Sequence, residues 1–208
     1  MQKRSILSIV IFAVLFSIGA ATAAAKPVTK DERKAALNYL KTTRKMFLDS
    51  IKGLSEEQLK WKAAPDRWSV FEVSEHITLA ESFIFGLISE QIMKGPADPT
   101  KTSEVTIQQI QTLVPDRTNK FQAPEPIRPD KAPWTSMADT IAAFKQRRAT
   151  TMDFMDKGNN DMREHFFMNP AFNKEMDAYL WIAFLSAHTE RHVKQILEVK
   201  ANPSFPKK

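Results

Sequence analysis

The sequence predicts an all-α fold, a four-helix bundle with a long crossover connection between the second and third long helices. Three observations carry this expectation. Four stretches place apolar residues three and four positions apart, the spacing that lines one face of an α-helix, and no segment shows convincing strand alternation. Two of those stretches open on a Ser/Thr-x-x-Glu capping box, in which side chains at the two ends of the box satisfy backbone N–H groups of the first turn. Seven prolines, at 96, 99, 115, 124, 126, 129 and 133, interrupt the chain between the second and third stretches. Proline lacks the N–H that a helix interior needs.

Taken in order, the first helix opens at Thr29-x-x-Glu32, carries Ala36, Leu40, Phe47 and Ile51 on one face, and ends near Gly53. A short helical turn follows at Ser55 to Gln58, and Trp61 to Trp68, with Pro65-Asp66, reads as a loop. The second long helix starts at the Ser69/Glu72 box directly after Trp68. Its stripe is Val73, His76, Ile77, Ala80, Phe83, Ile84 and Leu87, and Gly95-Pro96 closes it. The connection from Gly95 to Pro133 holds at most a short helix, around Glu104 to Leu113. Connections of this length are uncommon in one domain, and this one is either a functional cover or a plain bundle crossover. The third long helix runs from about Ser136 to Gly158, with Ile141, Phe144, Thr151 and Met155 inward. The fourth begins near Lys174 and ends near Ala201 or Pro203, with Trp181, Phe184, Leu185, His188, His192, Ile196 and Val199 on its stripe. His165 falls in the connection before it and reads as a turn or surface histidine.

Residues 1–25 read as a signal peptide. Lys3 and Arg4 make a basic start, Ile6 to Ile18 is uncharged and mainly apolar, and Ala23-Ala24-Ala25 supplies a small-residue cleavage pattern. The apolar run is short for a membrane span, which needs about 20 residues, so no stable anchor is expected after cleavage. Residues 26–208 then form one domain, placed in the periplasm or secreted. The net charge of the 208-residue chain is +6, of which Lys3 and Arg4 contribute two. That excess calls for no polyanionic partner, and export argues further against nucleic acid. The chain has no cysteine, which excludes disulfides, thiolate ligands, a cysteine nucleophile and a lipid anchor through cysteine. Five glycines leave little room for a phosphate cradle. The Glu-x-x-His pairs of di-iron bundles, the His-Glu-x-x-His protease motif and the Gly-x-Ser-x-Gly elbow are all missing.

Chemistry concentrates in the histidines, of which there are four. His188 and His192 are i and i+4, so a helix stacks them on one face, within the stripe that meets the core. His76 lies on the stripe of the second helix. Each of the three is either a core imidazole or a metal ligand. If the two helices are neighbours, three neutral nitrogens converge into an open site for zinc, nickel or a related divalent ion.

The run Trp68-Ser69-Val70-Phe71-Glu72-Val73-Ser74-Glu75-His76-Ile77 and the run His188-Thr189-Glu190-Arg191-His192-Val193-Lys194-Gln195-Ile196 together resemble the two signatures of the DinB-like superfamily. Those signatures are a tryptophan before the second helix, a histidine inside it, and His-x-x-x-His-x-x-Gln-Ile in the fourth. The resemblance covers nearly all of the chain after the signal segment. It implies a four-helix bundle with a three-histidine metal site, carried here by His76, His188 and His192. Around that site Gln195 is expected to orient a histidine, Glu72 to cap its helix, and Trp68, Phe83, Trp181 and Phe184 either to line an apolar pocket or to fill the core. The superfamily includes thiol S-transferases that use bacillithiol or mycothiol. This chain departs from them in its export signal, which favours hydrolysis of a small-molecule substrate. The alternative is a non-catalytic metal- or small-ligand-binding bundle. Related bundles often dimerise, so a homodimer is also an expectation.

Overall fold

A computed structural model describes residues 27–158 and 161–207, so the signal-peptide expectation lies outside the described residues. Helix α1 spans Lys30–Ile51, the short α2 Glu56–Lys60, α3 Val70–Gly86, α4 Ile107–Leu113, α5 Met137–Lys157 and α6 Ala178–Lys200. The fold is a four-helix bundle of α1, α3, α5 and α6.

Local chemistry explains the helix starts. Complete capping boxes open α1 (Thr29/Glu32), α2 (Ser55/Gln58), α3 (Ser69/Glu72) and α4 (Thr106/Gln109). Ser136 and Asp177 cap α5 and α6 through their side chains. Beyond the end of α1, Gly53 takes a φ of 71°, a left-handed conformation that a residue without Cβ adopts freely. At Gly158 any Cβ would overlap the Phe154 carbonyl, so the end of α5 requires glycine.

The four long helices pack in the cyclic order α1, α5, α3, α6. One apolar cluster joins Leu40 of α1, Ile84 of α3, Met155 of α5 and Ile182 of α6. The other joins Phe47, Val73, Phe144 and Val193 of the same four helices. Each cluster therefore takes the first half of α1 and α6 with the second half of α3 and α5, or the reverse. Helices α1 and α6 run one way, α3 and α5 the other. Between the clusters lies a polar waist. Arg148 of α5 is fully buried and donates to both carboxylate oxygens of Glu81 (2.9 and 2.7 Å), to Thr43 and Thr189 (2.8 Å each) and to the Leu40 carbonyl (2.9 Å). All five guanidinium N–H groups are thus used, and one side chain ties the four helices together.

Three expectations need correction. Residues 166–177 are not the approach to a helix but a hairpin, with β1 (Phe166–Asn169) antiparallel to β2 (Lys174–Asp177) in the register Phe166↔Asp177. The strands are too short to show alternation. Pro170 and the left-handed Asn173 (φ 50°) make the turn, so α6 starts at Ala178 rather than near Lys174. Helix α3 does not run on regularly to Gly95, because Leu87–Ile92 winds as a π-helix. Phe83, assigned to the buried stripe, is 45% exposed, because it sits at the edge of that stripe, beside the buried row Ala80, Ile84 and Ile88. No helix among the described residues is long and apolar enough to cross a membrane.

Candidate metal centre

The seam between α3 and α6 brings three histidines together at the waist. His76 sits two turns into α3, while His188 and His192 stack one turn apart on α6. One ligating nitrogen from each lies within 4.8 Å of the others. Nε2 of His76 is 3.1 Å from Nε2 of His192, and the ring centroids are 4.3 to 5.2 Å apart. His165 lies elsewhere. It is buried beside β1, with Nδ1 3.1 Å from the Gly95 carbonyl oxygen and Nε2 3.4 Å from Asp161.

Hydrogen bonds decide which nitrogens carry lone pairs. Nδ1 of His76 is 2.7 Å from the Ile127 carbonyl oxygen, an acceptor, so the ring must donate from Nδ1. Nδ1 of His192 likewise donates to Oε1 of Gln195 at 2.8 Å. Both Nε2 atoms of the neutral rings then bear lone pairs and face each other with no proton between them. This arrangement repels unless a cation, or a proton, occupies the space. Two nitrogens each bound at about 2.0–2.1 Å to one ion lie roughly 2.9–3.4 Å apart for angles between square and tetrahedral. The observed 3.1 Å falls inside that range.

Protonation points the same way. Burial pulls the His76 imidazole down to about 4, partly opposed by its bond to Ile127. Burial also holds His188 and His192 well below the ordinary imidazole range, and the neighbouring histidines add to it. Neutral imidazole is the form that binds a metal, so the donor set suits a divalent ion. The donors gathered here among the described residues are three imidazoles.

The surroundings differ in what they touch. Trp68 stands with its ring centroid 5.0 Å from His76. Gln195 orients His192. Glu72 accepts from the Ser69 backbone N–H and pairs with Lys62 at 2.7 Å, so it is occupied at the helix start. Trp181 is buried and lies one ring removed from the histidines, against Phe184 at 5.4 Å and Phe167 at 6.3 Å. Phe184 is the aromatic neighbour of His188, at 6.4 Å.

Sequence reasoning missed two residues here. Glu75 is buried, and burial together with the nearby Glu72 raises its carboxyl to about 7. The available signal was a carboxylate inside Val73-Ser74-Glu75-His76-Ile77. Arg191, also buried, donates to the carbonyls of Val114, Asp116 and Asn119 and lies 5.1 Å from the Phe121 ring. It fastens the crossover to the helix bearing two of the histidines, and the same crossover supplies the Ile127 carbonyl to the third. A cleft of about 690 Å³ between α1, residues 101–111 and the start of α6 does not include the histidines. Its cations are already paired, Arg163 with Glu32 and Asp177, and Lys101 with Glu175. The converging lone pairs mark the α3–α6 seam as the better place for chemistry.

Comparison with known proteins agrees with this architecture. The sequence profile of the DinB superfamily matches residues 39–196. The uncharacterized protein YuaE of Bacillus subtilis (strain 168) is 24% identical over 154 residues, spanning 73% of this chain and 89% of YuaE. Among solved structures, YfiT from Bacillus subtilis, described as a probable metal-dependent hydrolase with an unusual four-helix bundle topology, superposes with a TM-score of 0.54 at 10% identity, over 83% of this chain and 88% of YfiT. TT2238, described as a four-helix bundle protein, gives a TM-score of 0.51 at 16% identity, over 80% of this chain and 98% of its own. At such identities the two structures are similar to this chain in fold.

Proposed function

The chain belongs to the DinB superfamily, and on that footing we propose that it is an exported, divalent-metal-dependent hydrolase of a small-molecule substrate, with zinc or nickel held by His76, His188 and His192. The observation that carries the reading is the meeting of three neutral imidazoles within 4.8 Å at a buried waist, two of them with their lone pairs fixed by hydrogen bonds on the far side of the ring. The description of YfiT as a probable metal-dependent hydrolase supports it. Export rests on Lys3, Arg4, the apolar run from Ile6 to Ile18 and Ala23-Ala24-Ala25.

When bound, the ion supplies Lewis acidity for attack of water on a carbonyl or phosphoryl group. The chain's own residues set the conditions. The Ile127 carbonyl and Gln195 hold the tautomers of His76 and His192 and fix their ring planes. Burial keeps protons off all three rings at neutral pH. Trp68 shields one side of His76. His188 is the one histidine of the three that is only half-buried, so substrate approaches from its side.

The test is metal analysis of protein purified without a histidine tag, then hydrolysis of a panel of esters, amides, lactones and phosphoesters. About one ion per chain is expected, as for a single three-histidine site. It should be lost in His76→Ala, His188→Ala and His192→Ala variants that remain folded, and kept in His165→Ala. Turnover should vanish on chelation and return with the metal. Metal retained in all three ligand variants overturns the site. A loaded protein that transfers thiols but hydrolyses nothing overturns the reaction class, and one that does neither leaves the binding-bundle reading.

A further inference from the structure

We infer that the metal centre selects substrates bearing an aryl or comparably bulky apolar group, which packs on Phe184 and Phe172 while the polar reacting end reaches the ion. The inference rests on the three-histidine reading and deepens it. His188 is the half-buried member of the cluster, so the direction of approach is the direction its ring faces. Along α6, Phe184 precedes His188 by one turn on the same face, and helical side chains lean toward the N-terminus, over that turn. The Phe184 ring lies 6.4 Å from the His188 ring, tilted by 37°.

The aromatic row continues away from the site. Phe172, in the hairpin turn, packs edge-on to Phe184 at 6.5 Å, and Trp181 does so at 5.4 Å. Phe184 and Phe172 are both half-buried, whereas Trp181 is covered and packs against Phe184. Apolar carbon thus leads to the accessible side of the donor set along α6 and from the hairpin. The charged groups nearest on α6 are engaged elsewhere, Arg191 by the crossover carbonyls and Glu190 by Tyr39 and Lys194. A substrate whose body is charged would meet no free partner among these groups, while an aryl group would gain edge or offset contact with two rings.

The test uses cobalt(II)-loaded protein, whose visible absorption reports ligands entering the coordination sphere, and two probes that share one metal-binding group, benzohydroxamate and acetohydroxamate. After correction for their affinities for free cobalt(II), benzohydroxamate should bind at least tenfold more tightly, about 1.4 kcal/mol. Phe184→Ala should reduce that preference to threefold or less without changing cobalt affinity. Phe172→Ala, in the hairpin, should reduce it as well and serves if the helix variant fails to fold. Leu197→Ala, on the opposite face of α6, should leave it unchanged. Equal affinities in the parent protein, or a preference that survives both phenylalanine variants, overturns the inference while the metal site stands. Failure to bind cobalt, or a spectrum that neither hydroxamate alters, overturns the metal-centre reading and this inference with it.

Discussion

Acidification from pH 8 to pH 5 should destabilise the metal-free protein by an amount readable from the histidine cluster. A histidine in the unfolded chain titrates near 6.5, whereas His76 in the fold titrates at about 4. Between those values the unfolded state binds the extra proton, so the stability that His76 contributes is complete above 6.5 and is lost as pH falls toward 4. At pH 5, one and a half pH units below 6.5, the loss is about 2 kcal/mol at 1.36 kcal/mol per pH unit. Burial holds His188 and His192 below the ordinary range as well, so both add to the loss in the same direction. Metal affinity should behave differently. Since burial holds all three rings below the ordinary imidazole range in the folded metal-free protein, affinity should fall far less from pH 8 to 5 than ordinary histidines would allow. Three ordinary histidines would lose about 30-fold each over that interval. Urea denaturation of chelator-stripped protein at pH 8, 6.5 and 5, with competition titration against a chromophoric chelator at the same pH values, measures both. Denaturation midpoints that do not move, together with affinity that collapses by orders of magnitude, would refute the reasoning, because the histidines would then be solvated.

Three further outcomes follow from the geometry. Glu81→Ala leaves the fully buried Arg148 without its carboxylate and should cost about 3–5 kcal/mol in denaturant unfolding, whereas the double variant Glu81→Leu/Arg148→Met should recover most of the loss; a cost under 1 kcal/mol for the single change would refute a dry, fully paired waist. Gln195→Leu removes the acceptor that orients His192 and should weaken metal affinity by about 10–100-fold, as removal of such partners typically does, with little change in secondary structure by circular dichroism. Arg191→Ala frees the Val114, Asp116 and Asn119 carbonyls, so hydrogen exchange of residues 114–121 should accelerate while the core of α5 keeps its protection; unchanged exchange would show that the crossover is held by other contacts.

The hairpin and the second half of α3 show where sequence reading ends. Capping boxes at Thr29 and Ser69 are local, since donor and acceptor lie three residues apart, and the structure has both where the sequence places them. Strands of four residues give no period to read, and their pairing is a contact between segments, so β1 and β2 had no local signature. Phe83 carries the right spacing for the buried stripe, but spacing cannot say how wide a strip of the helix its neighbours cover. Trp181 is on the histidine face by periodicity, yet Phe184 stands between it and the cluster.

By itself the sequence determined four amphipathic helices, the starts of the first three, and a stacked pair of histidines on the last, because all of these depend on intervals of three or four residues. It also contained the third histidine and the glutamine, but not their meeting. Tertiary structure alone decided that α3 lies beside α6 rather than across from it, which brings His76 to His192 across 116 positions of chain. It likewise decided that a proline-rich crossover would deliver one carbonyl, that of Ile127, to the back of His76. Such contacts depend on which faces bury each other, a choice made by the whole core at once rather than by any short run of residues.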